Sequence, residues 1–320
     1  MTSPQIEWDF YISPDIAIDT AGVIAAADLD DVYSFHNNAD RALMSFTGWG
    51  YPPVEFVTQR GPYQHGVTLL DYRLHPRVVQ YTYRQTGGCR DTYWDNRSGL
   101  LNALRINRGA TGCTERGRLR KIISDGTVRD LYVVVEKGPV FNGRGSDWDE
   151  WSINETIRFI AHDPVVFNPA QQTGTWTLTE SSELVFPITF PIFFGTSIIN
   201  NTLNVTYAGT WLTYPIITIV GPLNGARIRN NSTDEVIELG YDIPAGQTLT
   251  INLNYGVKTV VDQAGTSYIG IISADSDLAT FHIAPDPEVA GGINELVAEG
   301  SNADVNTAVV ITWFDKYIGI

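Results

Sequence analysis

TLTINLN, residues 248–254, alternates strictly: Leu249, Ile251 and Leu253 are apolar, and Thr248, Thr250 and Asn252 between them are polar. A period of two puts each set on one face of a pleated strand, the first toward a core and the second toward solvent. Outward from this stretch lie TWTLTE (175–180), YPIITIVGP (214–222), GVKTVVD (256–262) and AVVITWFDKYIGI (308–320). Short strands separated by turn residues at intervals of roughly 8–12 are the pattern of an antiparallel sandwich.

The first half is also β-rich. Residues 54–59 and 67–83 read as strands, with Val79, Tyr81 and Tyr83 alternating against Val78, Gln80 and Thr82. VRDLYVVVEKG (128–138) is a buried strand by its β-branched density, following a turn signal at Ser124-Asp125-Gly126. One helix is predicted, over about 98–108, with Leu100, Leu101 and Leu104 on a shared stripe, Ser98 as its cap and Gly109 as its end. WSINETIRFIAHDPVVFNP (151–169) reads as a strand pair or a strand followed by a turn, and NPAQQTG at its end as a linker. The boundary is therefore placed at 168/169, giving an N-terminal domain of 1–168 and a C-terminal domain of 169–320.

The chain of 320 residues is long enough for two cores of ordinary size. Its net charge of −15 is unevenly spread. Residues 1–168 hold 17 Lys and Arg against 21 Asp and Glu, and residues 169–320 hold 4 against 15. Within the first half, 60–144 carries 15 basic and 7 acidic residues, and 13 of the 15 are Arg. Arg pairs bidentately with carboxylates and phosphates, so this stretch suits either a subunit interface or nucleic acid. The acidic remainder would repel a polyanion, which favours the interface. Arg105, Arg108, Arg116, Arg118, Arg120 and Lys121 are the residues expected to make it, against carboxylates of neighbouring subunits.

Catalytic chemistry finds little support. His36, His65, His75, His162 and His282 follow no metal-ligand spacing and read as loop or strand-edge residues; no HExxH, GxSxG or P-loop occurs. Cys89 and Cys113 each follow Gly and sit near charge, but two thiols make no disulfide framework and at most half a zinc site. No basic leader with an apolar run opens the chain and no apolar stretch reaches membrane length, so the expectation is a protein folded in a reducing cytoplasm, with no catalytic residue, cofactor, metal or membrane partner.

Four stretches resemble one family. DTYWDNRSGLLNALRINRG (91–109) with GRLRKIISDGTVRDLYVVVEKGPVF (117–141), ETIRFIAHDPVVFNP (155–169), LVFPITFPIFFG (184–195) and the C-terminal half with its close Tyr317-Ile318-Gly319-Ile320 are similar to the distal tail proteins (Dit) of siphovirus-type bacteriophages. The resemblance covers about 60–320 and is most specific at the doubled Phe-Pro. It implies an N-terminal β-rich belt domain with one helix and a C-terminal galectin-like β-sandwich. It further implies a homo-hexameric ring in the virion's tail tip or baseplate, assembled in the host cytoplasm. Such a ring would join the tail tube protein to the tail-associated hub or spike protein, offer sites to receptor-binding proteins, and let DNA pass through its channel without specific binding. Phe186, Pro187, Phe190 and Pro191 would form a stiff inter-domain linker, since each Pro fixes φ and removes a donor, or else the aromatics belong to the core of the second sandwich. The alternative is a carbohydrate-binding module for host-surface adhesion, with Trp176, Trp211 and Trp313 as the aromatics available for stacking.

Overall fold

The computed structural model describes residues 5–11, 29–34, 41–86, 89–104, 117–123, 126–140, 152–177 and 198–320. The predicted linker at Phe186, Pro187, Phe190 and Pro191 lies outside them, as do Arg105, Arg108, Arg116 and Cys113. The protein is mainly β, with antiparallel strand pairing among the described residues. Its contacts divide it into two units: unit 1 comprises Met1–Pro169 with Tyr317–Ile320, and unit 2 comprises Ala170–Lys316.

Unit 1 holds strands β1 (Gln5–Tyr11), β2 (Leu29–Ser34), β3 (Arg41–Thr47), β4 (Val54–Gln59), β5 (Thr68–Leu74), β6 (Arg77–Thr86), β7 (Gly117–Ile122), β8 (Val128–Lys137), β9 (Ser152–Ala161) and the start of β10 (Val166–Thr177). β8 is shared: its first part pairs with β7, which continues to β1 and β2, and its far end pairs with β9, which continues to β6 and β3. The inward faces meet in one core containing Trp49, Tyr81, Leu119, Leu131, Val133, Ile157 and Phe159. Val79, Tyr81 and Tyr83 all point into it, as the alternation of β6 requires. Burying Tyr81 holds its phenol well above the usual value, opposed by a hydrogen bond from the Trp49 indole at 2.9 Å.

The helix differs from its prediction. α1 spans Arg90–Ala103, beginning eight residues before the expected cap, and its cap is Cys89. RDTYWDNR has weak helix propensity, but the helix packs through Tyr93, Leu100 and Leu104, all buried, and tertiary burial outweighs propensity. Leu101 falls outside this stripe and is exposed. The expected linker at 168–174 is likewise a strand: β10 runs without interruption from Val166 to Thr177 across the division between the units. Pro169 is compatible because extended backbone tolerates its φ and loses only one donor.

Unit 2 adds β11 (Ile198–Thr206), β12 (Ile216–Val220), β13 (Asn224–Asn230), β14 (Glu235–Glu238), β15 (Thr248–Asn252), β16 (Thr259–Asp262), β17 (Ile293–Ser301) and β18 (Ala308–Tyr317). One sheet runs β16-β15-β12-β18-β10 and the other β11-β17-β13-β14. A single apolar core lies between them, with Ile217, Leu249, Ile251 and Ile311 from one sheet against Ile199, Ile228, Ile237 and Leu296 from the other. Leu249, Ile251 and Leu253 are all fully buried, as their alternation predicts.

Candidate functional site

The basic residues of β7 are tied into their own unit. The antiparallel register of β7 and β8 pairs Arg120 with Asp130 and Arg118 with Tyr132. Arg120 forks onto Asp130, Nε to Oδ1 at 2.9 Å and Nη2 to Oδ2 at 2.8 Å. Arg118 Nη1 lies 3.5 Å from the same Oδ2. Asp130 is fully buried and Arg118 nearly so, while Arg120 keeps partial exposure. On the other face of β7, the Lys121 ammonium stands 4.9 Å above the Phe46 ring and 5.5 Å from that of Trp49. Burial holds its pKa below the usual value. The carboxylate that Arg118 and Arg120 find is thus on the next strand of their own chain. The sequence signal for that pairing is the turn motif Ser124-Asp125-Gly126 between two strands, which sets Arg120 and Asp130 at equal spacing on either side of it.

A second feature escaped sequence reading. Among the described residues, β4 and β5 pair only with each other, from Val54 opposite Leu74 to Gln59 opposite Thr68. The side chains of Gln64 and Thr68 close the loop, Gln64 Nε2 donating to Thr68 Oγ1 at 2.7 Å and Gln64 Oε1 accepting from Gly61 N at 3.0 Å. This two-stranded ribbon exposes Phe56, Tyr63, Leu69, Leu70 and Tyr72, with Tyr63 at 99%. Scattered exposed apolar residues are ordinary, and this concentration on one ribbon makes it a candidate contact surface. The legible signal was the loss of alternation in VTLLDYRL, where Leu69 and Leu70 put apolar groups on both faces.

In unit 2, Trp176 and Trp313 are core residues. Neither is available to stack on a sugar, and Trp211 is only partly exposed, its carbonyl accepting from the Tyr207 hydroxyl at 2.6 Å. His282, read as an ordinary loop or edge residue, sits between two carboxylates: Nδ1 is 3.0 Å from Glu235 Oε2 and Nε2 is 2.9 Å from Glu288 Oε1. Burial alone would lower its pKa, but the hydrogen bonds to Glu235 and Glu288 win and raise it to about 9. Among the described residues, no group of three or more His, Cys, Asp or Glu is placed to hold a metal ion, and no helix is long and apolar enough to cross a membrane. Cys89 is an exposed thiol at the start of α1, its pKa lowered by hydrogen bonding to Thr92.

The fold is similar to one known from solved structures. The chain is similar to the SPP1 Dit protein, described as a paradigm of the hub adsorption apparatus in phages infecting Gram-positive bacteria. The likeness has a TM-score of 0.59 at 14% identity and covers 87% of this chain and 93% of that one. Weaker likenesses, at TM-scores of 0.48 and 0.46 and 9% identity, extend over 97% of this chain to the phage P2 baseplate in its activated conformation, with Ca and with Sr. No model of a known protein family matches the chain, and no curated protein matches it.

Proposed function

We propose that this chain is the repeating subunit of a phage tail hub, a virion protein that acts by assembly rather than by catalysis. The observation that carries this reading is the likeness to the SPP1 Dit hub protein, which spans both units. In the proposed assembly, six copies close a ring through unit 1 as a belt, and unit 2 serves as a galectin-like sandwich. The ring joins the tail tube to the tail-associated hub or spike protein and offers surface to receptor-binding proteins, while DNA passes through its pore without specific binding.

The β4–β5 ribbon supports self-association. Among the described residues it pairs with no further strand, and two-stranded ribbons are marginal alone, so a second copy supplies the apolar cover. Arg105, Arg108 and Arg116 are retained as interface residues of this proposal. Arg118, Arg120 and Lys121 act indirectly, by holding β7 against its neighbours. The test is light scattering with negative-stain microscopy of the full chain: closed rings of six are expected, and a monomer across micromolar to high-micromolar concentration would overturn the reading.

A further inference from the structure

Arg77 opens β6 directly after the β4–β5 hairpin, and it is 1% exposed. Its guanidinium donates to four backbone carbonyl oxygens, and the Asp163 carboxylate is close enough to favour its charge. Nε donates to Pro164 O at 2.7 Å, Nη1 to Gly48 O at 3.0 Å and to Gly50 O at 2.6 Å, and Nη2 to Ile318 O. A buried cation needs all of these acceptors, because a missing one leaves a desolvated donor unpaired.

One acceptor comes from a segment that follows the whole of unit 2 in the chain. Tyr317–Ile320 returns to unit 1 and docks there at each residue. Tyr317 packs against the core with the Arg129 guanidinium 3.8 Å from its ring centre, Ile318 accepts from Arg77, and the Ile320 amide donates to Trp49 O at 3.0 Å. Gly319 lies so close to the 48–53 segment that a Cβ there would stand 2.6 Å from Gly50 O. That segment is the root of the hairpin, held across its base by the His75 amide donating to Pro53 O at 2.8 Å.

We infer that residues 317–320 are a late-closing clasp, which completes the hairpin root of unit 1 only after the chain beyond unit 2 has been made and has folded back, so that self-association is withheld from incomplete chains. The gating clause rests on the proposed role of the hairpin in assembly; the clasp itself does not. A closed ring gives this device its use, since one truncated subunit would leave the ring open or misjoined.

The test uses the full chain, a Gly319→Ala variant and a chain ending at residue 316, compared by amide hydrogen exchange and by oligomeric state. Exchange in 45–53 and 75–82 should rise by at least about tenfold in both altered chains, while 215–220 and 248–253 in unit 2 stay unchanged, as expected when opening is local. The oligomer of the full chain should be lost in parallel. Unchanged exchange at the root would overturn the clasp. Raised exchange with an intact oligomer would overturn the gating. A full chain that is itself monomeric would fail the ring proposal, and the exchange contrast would still decide the clasp. Arg77→Lys keeps the charge but loses the fork, and it should reproduce the exchange pattern if Gly319→Ala proves too disruptive to purify.

Discussion

Asp130 is the residue on which the charge balance of β7 turns. Removing it takes from Arg118 a carboxylate oxygen 3.5 Å away and from Arg120 both oxygens of its fork, and truncating one partner of a buried pair costs about 3–5 kcal/mol. Asp130→Ala should therefore lower the stability of unit 1 by roughly 3 kcal/mol in urea unfolding, with unit 2 unaffected. His282 gives a pH dependence of definite sign. Its folded pKa of about 9 lies above its ordinary value of 6.5, so its contribution is fully present below 6.5 and is lost as pH rises through about 9. Glu235 runs the other way. Burial would raise its pKa, but the hydrogen bonds from His282 and Thr233 leave it lowered, so its contribution is present above the usual carboxylate range and is lost in acid. The stability of unit 2 should fall by up to about 3 kcal/mol on alkaline titration, and His282→Gln should flatten that loss when melting is followed from pH 6 to 10. The apolar residues of β15 were legible because alternation reports burial directly. His282 was not, because Glu235 and Glu288 come from separate segments and only the fold brings them to one imidazole.

At the scale of elements, the strands were readable and the surfaces they leave were not. The alternation of β6 and the β-branched density of β8 each gave a strand close to the observed one, because strand geometry is written in every second residue. α1 was half legible. Its leucines announced a helix, but the turn that buries Tyr93 precedes them and is built from residues that are poor helix formers in isolation. Leu100→Ala should cost about 2–5 kcal/mol by opening a cavity in the core, whereas Leu101→Ser should change unit 1 by less than about 0.5 kcal/mol. That contrast in melting would confirm which face of α1 is packed. NPAQQTG was misread because Pro and Gly mark turns on average, yet here they lie in an extended strand that changes units midway. The β4–β5 ribbon has the opposite property, being clear as strands and silent as a surface. Phe56→Lys together with Leu70→Lys should leave the unfolding midpoint within about 0.5 kcal/mol of the parent, since both side chains are exposed. The same pair should abolish self-association in sedimentation velocity.

For the whole molecule, the uneven charge decides how assembly should respond to salt. Unit 2 carries 4 basic against 15 acidic residues, so copies brought together in a ring repel one another through units of the same sign. Against this stand two sources of attraction with opposite salt signatures. If Arg-rich edges met carboxylates of neighbouring copies, raising ionic strength from about 0.01 M to 0.15 M would shrink the screening length from about 30 Å to 8 Å and weaken the ring. If apolar cover of the β4–β5 ribbon dominates, the same change screens the repulsion between acidic units and leaves the attraction intact. Arg118 and Arg120 already have Asp130, and Lys121 is enclosed by two aromatic rings, so half of the six basic residues proposed for the interface have found their partners at home. The ring should therefore tighten with added salt over this range, read as a lower concentration for half-assembly in light scattering. A ring that loosens steeply with salt would return the interface to Arg105, Arg108 and Arg116 and reduce the hairpin to a bystander.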